Sequence, residues 1–124
     1  MITGIGIDIV NVKRMEKWYS NTGLLERYFH PQELVVIHSQ KKSAVQSLAG
    51  RFAAKEAFGK ALGTGLTDIL LKDIMVTNNN NGKPEIQVFG SAKKALEKSG
   101  ANKMHVSLSH ERDNAIALII MEKV

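Results

Sequence analysis

The stretch "RFAAKEAFGKALGTG", Arg51–Gly65, decides how this chain is read. Carried back to Ala44 it has helical spacing: at about 100° per residue Val45, Leu48, Ala49, Phe52 and Ala53 share one apolar stripe. Gly63 and Gly65 then let the chain leave in a left-handed conformation, so a helix over residues 44–62 is expected. Glu56 falls inside the stripe, Lys60 lies one turn on at its border, and Arg51 and Lys55 project from other sides. A carboxylate among apolar neighbours is disfavoured by several kcal/mol unless a cation or a set of donors meets it. Glu56 therefore needs a partner.

Two partners come into question. Lys60 at i+4 is the plain one, a pairing worth only about 0.2–0.5 kcal/mol on a helix surface. The other is a hard divalent cation shared with Asp8. Residues Ile2–Val10 alternate as a half-buried strand does, with Ile5, Ile7 and Ile9 on one side and Gly4, Gly6 and Asp8 on the other. The two glycines leave Asp8's side of the strand bare, so another backbone or a ligand can come close to its carboxylate. Mg2+ is usually held by one or two carboxylates while waters and ligand phosphate oxygens complete the shell, so two acids are enough. Taken alone, Asp8 is weak evidence, since an acid on a strand is more often solvated or paired with a nearby base.

The remaining elements fall on either side of that helix. From Asn11 the spacing turns helical, with Lys13, Arg14 and Lys17 forming a basic face and Met15 and Trp18 offering apolar contacts. "LLERYF" reads as a second helix. Pro31 stands at the first position of a third, with Glu33 in its first turn where the helix dipole favours an acid. Beyond Gly65, "DIMVT" and "EIQVF" flank "NNNNGKP", whose Asn81, Gly82 and Pro84 mark a hairpin turn. After the helix-like "SAKKALEKSG", "HVSLS" and "AIALIIM" flank "HERDN" as a second hairpin, with His105, Ser107 and Ser109 on one face. Lys83 in the first turn is within reach of an anion, although turn lysines are usually solvated. His105 and His110 read as acid-base groups, metal ligands or simply hydrogen-bonded imidazoles.

Composition narrows the function classes. The 124 residues are 44% hydrophobic, enough for one domain over residues 1–124, but only 6% aromatic, so the core rests on aliphatic side chains. No cysteine is present, which removes disulfide and thiolate chemistry. "MITGIGIDIV" lacks a basic leader region, and the longest apolar run, Ala115–Met121, is far short of the roughly 20 residues a membrane-spanning helix needs. A cytoplasmic protein is expected, without membrane association. Seventeen Lys and Arg against twelve Asp and Glu, a net charge of +5, favour an anionic partner. No HExxH, GxxxxGK[ST] or GxGxxG pattern occurs, which speaks against a zinc protease, a P-loop enzyme or a dinucleotide fold. A non-catalytic basic nucleotide- or RNA-binding module stays as an alternative, although aromatics for base stacking are few.

Three stretches together, "GIGIDIV", "GRFAAKEAFGKALGTG" and "HVSLSH", with "NGKP" between the last two, resemble the short 4′-phosphopantetheinyl transferases, the holo-acyl-carrier-protein synthases. The resemblance runs essentially from end to end. It implies an α+β fold of the 4′-phosphopantetheinyl transferase type, an antiparallel sheet with a long central helix and additional helices. It also implies transfer of the 4′-phosphopantetheine arm of coenzyme A to a serine of apo acyl carrier protein, with Mg2+ required and no nucleic acid involved. By the same resemblance Asp8 and Glu56 are the metal ligands, and Lys60 contacts the pyrophosphate. His105, with Ser107, lines the coenzyme A site, as do Arg51 and the turn Asn81, Gly82, Lys83 and Pro84. Glu56, Lys60 and His105 form the implied catalytic set; the serine proton goes to Glu56 or to a water on the metal. Lys13, Arg14 and Lys17, with Arg27 adding to them, would steer the acidic carrier protein. The family's short members are homotrimers with active sites between subunits. Two departures stand out: Val10 occupies the position of a second acid in larger relatives, and His30 replaces the usual Thr or Ser, which predicts a weakened N-cap for the third helix.

Overall fold

Gly4 and Gly6 settle which way the first strand faces. The computed structural model describes every residue, Met1–Val124, and opens with strand β1 (Ile2–Asn11). A Cβ at Gly6 would overlap the Ala57 carbonyl and lie 2.6 Å from Ala61 N, and one at Gly4 would overlap the Ala61 carbonyl. The backbone of the central helix α4 (Ala44–Leu62) thus rests directly on the glycine side of β1. Ile5, Ile7 and Ile9 are consequently turned outward, 64%, 59% and 60% exposed. The half-buried alternation expected of β1 is present, and the backbone that comes close on its bare side is that of α4.

The helix α4 has the bounds its spacing predicts and ends at Gly63 in the left-handed conformation, φ 84°. It is buried on more than the one stripe. Ala54, Lys55, Ala57, Phe58 and Arg51 are buried along with Leu48, Ala49, Phe52 and Ala53. Arg51 and Lys55 therefore do not project away from the core, because other elements close over their sides of the helix. These are α1 (Met15–Tyr19), α2 (Thr22–Tyr28) and α3 (Pro31–Ser39), joined to α4 by a 3-10 turn at Lys41–Ser43. Lys13 and Arg14 precede α1 in a turn, and only Lys17 of the basic trio is on the helix. The predicted weak cap on α3 is wrong: His30 Nδ1 accepts from Gln32 N at 3.1 Å while Glu33 reaches back to His30 N at 3.0 Å, a complete capping box.

The rest of the chain forms two hairpins separated by a helix. Strands β2 (Ile74–Asn78) and β3 (Pro84–Val88) pair antiparallel around the asparagine-rich turn. Helix α5 (Gly90–Ser99) follows, and then β4 (Lys103–His110) and β5 (Asn114–Glu122). The main sheet has the order β1-β5-β4 and is antiparallel throughout. Its inner face, with Ala115, Ala117, Ile119 and Met121 buried, packs under α4. The outer face holds cross-strand rows Ile5–Ile120–His105, Ile7–Leu118–Ser107 and Ile9–Ile116–Ser109. No helix is long and apolar enough to cross a membrane.

Candidate active site

Where α4 crosses β1, three charged side chains meet. Lys60 Nζ donates to Asp8 Oδ1 and to the Ile7 carbonyl, both at 2.9 Å. The Asp8 side chain is 16% exposed and the lysine 54%, so this is a partly screened ion pair. Lys60 thus goes to the strand and not to Glu56, because at Asp8 it finds a carboxylate and a backbone carbonyl together. Glu56 makes neither a hydrogen bond nor an ion pair. Its carboxyl is raised above the usual value, first by burial and then by the like charge of Asp8, while Lys60 and Arg14 draw it back down. The carboxylate that the sequence singles out is therefore unpaired beside a second acid.

This donor set fits a hard divalent cation. It supplies two carboxylates, one of them without any partner, and no third His, Cys, Asp or Glu joins them. Val10, two residues after Asp8, is buried in the core. A cation held here would take its remaining ligands from water and from phosphate oxygens, which is how Mg2+ is commonly bound. The basic segment adjoins the pair: Arg14 lies with its Cζ 5.8 Å from the centre of the Phe52 ring and is close enough to Glu56 to act on its charge.

A second cluster lines a cleft of about 270 Å3 between the first half of α4, the β2–β3 turn and the end of β4. Arg51 forms one wall, 5% exposed, bonded through Nη1 to Ser47 Oγ and through Nη2 to Asn78 Oδ1 at 3.5 Å. Its Nε has no partner, and burial lowers the guanidinium pKa while Glu33 raises it again. A buried guanidinium lining a polar cleft, with one N–H left unpartnered, is suited to an anion. Gly82, Pro84, Ser109 and His110 line the other walls. Asn81 and Lys83 belong to the same turn, which is shaped by Asn79: its Oδ1 accepts from Asn81 N at 2.9 Å and from Lys83 N at 3.0 Å. Asn78 and Asn79 were not singled out in the sequence, where only Asn81, Gly82 and Pro84 mark the turn. The turn signal beside them was the only pointer.

His105 and Ser107 lie in neither place. They stand on the outer face of the sheet, where His105 Nε2 is 2.7 Å from Glu122 Oε1. That hydrogen bond holds the Glu122 carboxyl below its usual value. The residues named from the sequence thus fall into three groups within one chain. Asp8, Glu56 and Lys60 sit at the β1 edge, Arg51 with the Asn81–Pro84 turn on the β4 side, and His105 with Ser107 on the outer face.

Residues 4–119 match the family described as the 4′-phosphopantetheinyl transferase superfamily, and the chain belongs to it. It is 53% identical over 122 residues to a holo-[acyl-carrier-protein] synthase of Treponema denticola, covering 98% of this chain and 99% of the relative. A synthase of the same name from Halothermothrix orenii is 44% identical over 99% of both chains. Among solved structures, the Neisseria meningitidis holo-[acyl-carrier-protein] synthase superposes with a TM-score of 0.88 at 37% identity, covering 99% of this chain and 100% of that one. The Bacillus anthracis synthase, solved in complex with CoA (3′,5′-ADP), gives 0.84 at 36% identity over 100% and 99%. The alternative of a non-catalytic basic nucleotide- or RNA-binding module finds no support in these relatives.

Proposed function

We infer that this chain transfers the 4′-phosphopantetheine arm of coenzyme A to a serine of apo acyl carrier protein, releasing adenosine 3′,5′-bisphosphate. The observation that carries the reading is the unpaired Glu56 carboxylate beside Asp8 in a chain so similar to holo-acyl-carrier-protein synthases. In this reading Asp8 and Glu56 hold Mg2+. The ion, when bound, draws charge from the diphosphate and stabilises the departing bisphosphate.

The chain's own residues do the remainder. The serine oxygen forms a bond to the phosphorus that carries the pantetheine arm, and the bond from that phosphorus to the bridging oxygen breaks, its electron pair leaving with the bisphosphate. Lys60 is poised to turn from Asp8 to the diphosphate, since its ammonium is half-exposed and its present ion pair is partly screened. The serine proton passes to Glu56 or to a water beside it. Arg51 and the Asn81–Pro84 turn hold the nucleotide end of coenzyme A. Lys13, Arg14 and Lys17, all exposed and with Arg14 near Glu56, receive the acidic carrier protein.

The reading includes a homotrimer. Within one chain the acid pair and His105 stand at opposite edges of the sheet, and the outer face carries the exposed Ile5, Ile7 and Ile9. A neighbour packed on that face buries the isoleucines and sets His105 and Ser107 near another copy's acids.

Incubating the protein with coenzyme A, Mg2+ and apo carrier protein tests the reaction by intact mass. The carrier gains one phosphopantetheine arm with the wild-type chain and none with Glu56→Gln. A carrier unchanged by the wild-type chain under any divalent metal removes the reading.

A further inference from the structure

Lys55 and Glu33 are two charged side chains with no exposure at all, and the reaction above uses neither. Lys55 Nζ donates to Glu33 Oε1 at 2.7 Å, to the Leu71 carbonyl at 2.9 Å and to the Ile74 carbonyl. Glu33 accepts from His30 N at 3.0 Å through Oε1 and from Val76 N at 3.1 Å through Oε2. Phe29 covers the ammonium, its ring centre 4.9 Å away. Burial pushes the lysine pKa down and the Glu33 charge pulls it back up. A pair of this kind is weak evidence of stability, because apolar side chains of similar volume in its place are often as stable or more so. What an apolar pair lacks is direction. This pair reaches four backbone groups: one at the start of α3, two bracketing the 3-10 turn Leu71–Asp73, and one within β2.

The path from that anchor to the cleft is short. Two residues beyond Val76, Asn78 accepts from Arg51 Nη2 at 3.5 Å and donates to the Gly82 carbonyl at 3.0 Å. One turn before Lys55 on α4 stands Arg51 itself. Helix and hairpin are therefore tied together immediately beneath the two points at which they line the cleft.

We propose that the Glu33–Lys55 pair is a positioning device that fixes the β2–β3 hairpin against α4, and thereby sets the spacing between Arg51 and the Gly82–Pro84 turn that receives the anionic end of the ligand. The proposal rests on the reading of this cleft as the nucleotide-binding part of the site. Neither residue touches the substrate; both act through Asn78 and the turn.

The test uses the full chain with the double substitution Glu33→Leu/Lys55→Met, which removes both charges and every directional bond while keeping the site filled. It leaves the His30 and Val76 N–H groups without their acceptor, so it is expected to melt cooperatively but below the wild-type temperature. Its KM for coenzyme A rises about tenfold with kcat within about twofold of wild type, the split expected when binding that is uniform along the reaction is lost. The dissociation constant for adenosine 3′,5′-bisphosphate, measured by calorimetry, weakens by the same factor, and amide exchange at Thr77–Lys83 accelerates. Glu33→Gln, which keeps an acceptor for Val76 N, is the conservative control with an intermediate KM, and it decides the matter if the double variant fails to fold. Wild-type KM, bisphosphate affinity and hairpin exchange in a folded variant overturn the proposal. If the wild-type chain itself does not bind the bisphosphate, or Arg51→Ala leaves its affinity unchanged, the reading of the cleft falls instead. The exchange measurement then still decides whether the pair holds the hairpin.

Discussion

At the scale of single residues, Glu56 and Lys55 are neighbours on one helix and were legible to different degrees. Glu56 is visible in the sequence as a charge on an apolar stripe, and the structure leaves it unpaired. Lys55 is invisible for a physical reason. A helical wheel assigns burial to one stripe, whereas α4 is enclosed on several sides, and the acid that satisfies the lysine lies 22 residues earlier on another helix. Glu33 itself reads as an ordinary first-turn acid, and nothing local distinguishes a capping carboxylate from one that also anchors a buried cation. Glu56 also gives a pH prediction. A carboxyl whose folded-state pKa is raised contributes stability that is complete below its ordinary value of 4.5 and is lost as pH rises through the raised value. In chelator, Glu56→Gln therefore melts at a higher temperature than wild type at neutral pH, and the gap closes as the pH is brought below 4.5. Thermal melts across that range check it, and a constant gap contradicts it.

At the scale of elements, both hairpins and α4 were legible because turn chemistry and helical period are local. The facing of β1 was not. Alternation identifies two sides of a strand but not which of them meets the core, and the glycines left open whether a backbone or a ligand comes close. The deciding quantity is the room that a helix backbone needs. Gly6→Ala puts a methyl group into the Ala57 carbonyl and against Ala61 N, and backbone on both sides cannot give way as a flexible side chain does. The variant is expected to lose about 3 kcal/mol, the upper part of the usual range for overpacking, in denaturant unfolding. A loss below about 0.5 kcal/mol, the level of ordinary surface changes, contradicts the close contact.

At the scale of the whole molecule, the candidate site is divided: acids at one edge of the sheet, cleft at the other, His105 on the outer face. Motif order along the sequence lists these residues without saying that one chain keeps them apart, so the sequence conveyed the parts and not their distribution. In the trimer proposed above, the exposed rows through Ile5, Ile7 and Ile9 are the face that a neighbour covers. Ile7→Glu, at the centre of that face, places a like charge on every copy and is expected to shift light-scattering mass from three chains to one, with loss of transfer activity. A monomer in the wild-type chain, or a trimer that survives the substitution with full activity, contradicts the assembly.

The account turns on whether Asp8 and Glu56 together grip a divalent ion. The most direct measurement is a Mn2+ titration of the protein in the presence of coenzyme A, followed by the loss of the free-ion paramagnetic resonance signal. One ion bound per chain is predicted for wild type, with binding abolished or weakened more than about tenfold in both Asp8→Asn and Glu56→Gln. Undiminished Mn2+ affinity in both variants would contradict it.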